Sequence, residues 1–114
     1  MRCLCKQKET YELKVEGDVS ADPIWCNKCY CNLDLEDIPI SAELKLELME
    51  WIRKYGEWID WGKDRIVPNG IELEEEHNKQ GLNLTEIVKK ELVGKYKVSF
   101  SPSTFARNHA YILT

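Results

Sequence analysis

Pro23-Ile24-Trp25-Cys26-Asn27-Lys28-Cys29-Tyr30-Cys31-Asn32 crowds three cysteines into six positions, and two more, Cys3 and Cys5, stand near the N-terminus. Thiolates so spaced are most often gathered by a tetrahedral zinc ion. Cys26-x-x-Cys29 has the spacing of a zinc knuckle, a tight turn that aims two sulfurs at one metal, and Cys3-x-Cys5 supplies a second pair. The expected ligands of one structural Zn2+ are therefore Cys3, Cys5, Cys26 and Cys29. Cys31 lies only two residues past Cys29, beyond the knuckle turn, and is the runner-up ligand. The glycine usual just after a knuckle is missing. Tyr30 takes its place, which leaves an asparagine to adopt the left-handed backbone. Such a site would pin the start of the first hairpin to its end, so chelation should loosen residues 1–32 and leave the helices in place. Trp25-Cys26-x-x-Cys29 also has the form of a thioredoxin motif. That chemistry needs a helix starting at the first cysteine and a βαβ unit before it, and neither is written here.

Outward from the cysteines, Tyr11, Leu13 and Val15 alternate with Glu12, Lys14 and Glu16, the pattern of a half-buried strand over 10–16. Gly17-Asp18 ends it, and Ala21 to Trp25 returns as a second strand, with Pro23 tolerable only at an edge or a strand beginning. Asn32 to Ile40 is an acidic connector. Ser41 then stands at a helix N-cap, with Glu43 in the first turn. The helix should run from about Ala42 to Ile59. Leu44, Leu48, Trp51, Tyr55, Trp58 and Ile59 form its core stripe, and Gly56 is the place for a bend after Tyr55. Val67-Pro68-Asn69-Gly70 is a turn. A second helix follows over 71–92, its stripe Leu73, His77, Gly81, Leu84, Val88 and Leu92. The alternative is two helices, with Asn83 capping the second and Glu86 at its N3 position. The stripe persists through the proposed break, which favours one helix and makes Gly81 a close crossing point. Gly94 closes that helix, and Tyr96, Val98 and Phe100 mark a strand over 95–101 stopped by Pro102. Ala110 to Leu113 reads as a last short strand or as tail.

The first helix carries a second apolar set, Ala42, Leu46 and Met49, opposite its stripe. Cover by the cysteine module or the N-terminal hairpin is the expectation. The alternative is an exposed interaction patch at Leu46 and Met49, for a partner or a second copy of the chain. His77 sits on a core stripe with no nucleophile to activate, and Glu74-Glu75-Glu76 reads as a solvated helix face. No residue set reads as an active site.

Charge is uneven. Residues 32–80 hold 13 acids and 6 bases, residues 81–114 hold 2 acids and 5 bases, and residues 1–31 hold 5 of each. The acidic excess should repel phosphates, so no salt-sensitive binding to duplex DNA or RNA is expected. The basic end, Lys89, Lys90, Lys95, Lys97 and Arg107, is too weak for a nucleic-acid surface by itself. No apolar run is long enough to span a bilayer, and Met1 to Lys6 lacks the apolar core of a signal peptide. A cytoplasmic setting follows as the expectation, where thiols stay reduced.

The Pro23–Asn32 motif, Asp60-Trp61 and Pro68-Asn69-Gly70-Ile71-Glu72-Leu73 together resemble a family of small uncharacterised bacterial proteins with an N-terminal zinc-knuckle-like cysteine cluster. The resemblance spans most of the chain and implies a bacterial, cytoplasmic protein, with no activity to carry over. The expected fold is α+β in one domain of 114 residues. A cysteine-rich, zinc-ribbon-like β subregion (1–32) packs on a body (41–114) of two helices and a C-terminal strand. The expected function is non-enzymatic and acts by protein–protein interaction, an antitoxin or immunity-type role within that class. Homodimerisation belongs to the same class. A nucleic-acid-binding accessory protein is the alternative, and a small thiol redox protein the third.

Overall fold

Strand β1 (Glu12–Glu16) lies between β2 (Ile24–Cys26) and β5 (Lys97–Ser101) in a three-stranded sheet of order β2-β1-β5. The computed structural model describes residues 3, 9–63 and 65–106. β2 runs antiparallel to β1, with Leu13 opposite Cys26 and Val15 opposite Ile24. β5 runs parallel to β1, with Leu13 opposite Val98 and Val15 opposite Phe100. A parallel pair needs a long crossover. Here the crossover includes both main helices, α1 (Ala42–Arg53) and α2 (Gly70–Glu91), and a two-stranded hairpin of β3 (Ile59–Asp60) and β4 (Arg65–Ile66). The α+β fold with its cysteine-bearing β region is thus the one the alternations and stripes predicted.

The period-2 reading holds at the centre of β1, where Leu13 and Val15 are buried; Tyr11 lies before the strand and is exposed, against the ring of Tyr96 at 5.5 Å. Pro23 precedes the edge strand β2, where its missing N–H costs no ladder bond, and its carbonyl accepts from Glu16 N at 3.0 Å. The β region has no core of its own. Leu13, Val15, Ile24, Leu33 and Leu35 pack into one cluster with Leu44, Leu48, Trp51, Leu84 and Val88.

Ser41 caps α1, its Oγ accepting from Leu44 N at 3.2 Å. Glu91, at the far end of α2, accepts from Ser41 N and Oγ at 2.6 and 2.9 Å, so a carboxylate sits at the positive end of the α1 dipole. α1 ends at Arg53, earlier than the expected Ile59. Lys54 N and Tyr55 N donate to carbonyls three residues back, and Gly56 turns the chain at φ +89°. Trp58 is still buried, but on the turn beyond the helix. The stripe was continuous in sequence because the turn still brings Tyr55 and Trp58 inward, where their rings pack on His77 at 6.0 and 5.1 Å.

The 70–91 stretch is one helix. Its buried line is Gly70, Glu74, His77, Gly81, Leu84, Thr85 and Val88. Leu73 is only half-buried, and Glu74 takes the position the sequence assigned to it. Glu74 therefore leaves the solvated acidic face, which Glu75 and Glu76 keep. Its Oε2 accepts from Ser103 Oγ and Ala106 N, each at 2.8 Å, so the carboxylate holds the segment after β5. Gly81 is the close crossing. A Cβ there would meet Trp51 at 2.7 Å and Phe100 at 2.6 Å. Gly94, at φ +90°, follows the helix as a left-handed stop. Trp51 and His77 join the two helices reciprocally. Their rings stack at 4.4 Å, Trp51 Nε1 donates to the His77 carbonyl at 2.8 Å, and His77 Nε2 lies 3.0 Å from the Trp51 carbonyl. A carbonyl accepts only, so the Nε2–H tautomer fits. Nδ1 is left buried without a partner, and burial lowers the His77 pKa. Cys5, Arg107 and the stretch 110–113, read above as a short strand or tail, lie outside the described residues.

Candidate metal centre and interaction surface

β2 ends at Cys26, and the chain turns back on itself at once. Tyr30 N donates to the Cys26 carbonyl and Cys26 N to the Cys31 carbonyl, each at 3.0 Å, and Trp25 bridges Asn32. The return is clamped by Asn32, which exchanges side-chain bonds with the backbone of Asp22 at 2.8 and 2.9 Å. Lys28 N points at Cys26 Sγ from 3.4 Å, a contact that stabilises a thiolate. The left-handed residue of the turn is Tyr30 itself, at φ +62°. Neither Asn27 nor Asn32 takes that conformation. A side chain in this region costs on the order of 1 kcal/mol, and the Lys14 ammonium 4.7 Å over the Tyr30 ring contributes in the other direction.

The turn brings Cys26 and Cys29 together, and Cys3 reaches the same place from the N-terminal segment. The three sulfurs lie within 4.8 Å of one another. Cys26 is buried, and Cys3 and Cys29 are half-buried. The sulfur of Cys31 is not in this group; its half-buried side chain packs against the hydrophobic core. Three thiolate donors at this separation can coordinate a metal ion. No helix starts at Cys26, so the turn lacks the element that activates a thioredoxin cysteine.

The second apolar set of α1 is not covered by the β region as expected. Leu46 is 68% exposed, Met49 is half-buried and Ala42 is exposed. Met49 packs against the core cluster, and the acidic connector, with its 3-10 turn at Leu35–Asp37, lies against this face without covering Leu46. Between them lies a groove of about 730 Å³ lined by Leu35, Ile40, Ala42, Leu46 and Met49, with Asp22, Asp34, Glu36 and Lys45 at its rim. The sequence did show the apolar set; only the path of the connector decides that it stays open.

Among the described residues, the three cysteines form the one group of His, Cys, Asp or Glu side chains placed to share an ion. His77 is a core residue among the rings of Trp51, Tyr55 and Trp58. No described helix is long and apolar enough to cross a membrane. These features define a small α+β protein with a candidate cysteine metal centre and no assembled catalytic group among the described residues. The chain belongs to the Serratia CdiI immunity protein-like family, whose model matches residues 11–103. No curated protein matches the chain.

Proposed function

We propose that this protein is a non-enzymatic, immunity-type protein that acts by binding another protein, and that a structural zinc ion holds its N-terminal segment. The observation that carries the first part is the family match, which spans the sheet, both helices and the groove. An immunity protein neutralises a toxic partner by occupying it, a task that needs a firm surface and no catalytic groups of its own. For the metal, the supporting observations are the three gathered sulfurs, the amide aimed at Cys26 Sγ and the left-handed turn residue after Cys29. Cys3, Cys26 and Cys29 would hold the ion, with Cys5 as the fourth ligand and Cys31 as the substitute. Zinc there does no chemistry on a substrate; it ties the N-terminal segment to the end of β2.

The test is capture from the bacterial source with a tagged chain, followed by recombinant production of whatever protein is bound. The expected result is a stable complex, and relief by the chain of growth arrest caused by the partner. Bound material that disappears on nuclease treatment, with no protein left, would replace this reading with the nucleic-acid alternative.

A further inference from the structure

We propose that the groove between the Leu35–Asp37 turn and α1 docks a basic protein surface, one that seats an apolar side chain on Leu46 and Met49 and rings it with lysines or arginines. This deepens the immunity-type reading and rests on it for the existence of a protein partner. The apolar lining of the groove is open: Leu46 is 68% exposed, Met49 is half-buried, and the buried Leu35 and Ile40 line the same groove. Its surroundings are acidic. From Asp34 to Glu50 the chain carries Asp34, Glu36, Asp37, Glu43, Glu47 and Glu50 against the single base Lys45. All six carboxylate residues are exposed. Glu50 pairs with Arg53 at 3.0 Å; among the described residues the other five make no ion pair. Lys45 spends its ammonium on the Glu36 backbone carbonyl at 3.1 Å.

Helix spacing concentrates the charge around the apolar centre. Glu43 lies three residues before Leu46 and Glu50 four after it, so both border its side chain on the same face. Carboxylates left un-neutralised around an exposed leucine repel one another until cations arrive from outside. That selects the occupant. A second copy of the chain meeting itself across a two-fold axis would set this acidic rim against its own image. Nucleic acid and the anionic membrane surface carry the same sign and are repelled. A basic protein surface satisfies both the rim and the apolar lining, and complementary charge would also speed its encounter.

The experiment uses the full chain, isotope-labelled for NMR, titrated with a ten-residue amphipathic peptide of alternating lysine and leucine. The same peptide with glutamate for lysine is the control. Amide shifts are expected to cluster over 34–50, and binding to weaken about tenfold or more between about 0.15 and 0.5 M salt. The paired substitution Glu36→Lys and Glu43→Lys, and separately Leu46→Lys, should each weaken binding about tenfold while leaving the circular-dichroism spectrum unchanged. Shifts centred instead on Glu72–Glu76, equal binding of the glutamate peptide, or unchanged affinity in the variants would overturn the assignment. The protein captured from cells separates the two claims. If wild type and charge-reversed chain hold it equally, the groove assignment fails and the immunity-type reading stands. If wild type captures no protein while the peptide still maps to 34–50 with the expected charge dependence, the groove stands and the immunity-type reading fails.

Discussion

Protein purified under reducing conditions should carry about one zinc per chain, and the ligand set is open to dissection one cysteine at a time. A zinc ion with bonds of about 2.3 Å in tetrahedral arrangement places its sulfurs about 3.8 Å apart. The sulfurs of Cys3, Cys26 and Cys29 already lie within 4.8 Å of one another, so metal binding needs only a small contraction. A site so nearly assembled loses little in reorganisation, and structural zinc binding amounts to about 10 kcal/mol or more near neutral pH. The effect of removal should nonetheless be local. β1 is held on both sides, by β2 and β5, and its Leu13 and Val15 share the core with the helices. Chelation should therefore raise hydrogen exchange in the Cys26–Cys31 turn and the segment around Cys3, and leave β1, α1 and α2 protected. This is narrower than loosening all of residues 1–32, because the β region and the helices share one core. Elemental analysis of single variants reads the ligands. Cys3→Ser, Cys26→Ser and Cys29→Ser should lose zinc, and Cys31→Ser should keep it. Loss with Cys31→Ser and retention with Cys3→Ser would show the ligand set to be wrong, and a wild type that binds none would remove the site altogether.

Tyr30 sits at φ +62°, so Tyr30→Val should destabilise by about 1–2 kcal/mol relative to Tyr30→Gly in urea unfolding; equal stabilities would mean the turn relaxes. Gly81→Ala would gain about 1 kcal/mol in helix propensity, but its Cβ would stand 2.6 Å from Phe100 and 2.7 Å from Trp51. Trp51 is locked to the His77 carbonyl and cannot yield, so overpacking of about 1–3 kcal/mol should win. A stabilised variant would show that the crossing opens. Burial lowers the pKa of His77, so below about pH 6.5 the unfolded chain takes up a proton that the folded protein resists. The stability from neutral His77 is complete above that pH and is lost as the pH falls toward the depressed folded value. His77→Phe, which keeps a ring against Trp51, should flatten this part of the profile, and an unchanged slope in urea titrations at several pH values would refute the assignment.

Much of the architecture is local and was legible. Leu13 and Val15 alternate with polar neighbours, Ser41 carries the oxygen an N-cap requires, and the line His77-Gly81-Leu84-Val88 keeps helical phase across the place where Asn83 suggested a break. Each of these is a relation among residues a few positions apart, and the backbone enforces it wherever the segment packs. Cys26 and Cys29 belong to this class too, since a tight turn brings them together. Other features depend on what stands opposite, which spacing does not encode. Glu74 is buried because Ser103 and Ala106 bring donors to it from the far side of β5. α1 stops at Arg53 because the following turn can still return Trp58 to the core. Tyr30 takes the left-handed position because the hairpin bonds of Cys26 and Cys31 fix the geometry of the turn, and the residue there must comply. The meeting of Cys3 with the knuckle and the open face at Leu46 were likewise decided in three dimensions. Hydrophobic pattern says which residues can be buried, but only the path of the connector says which face of a helix is left uncovered.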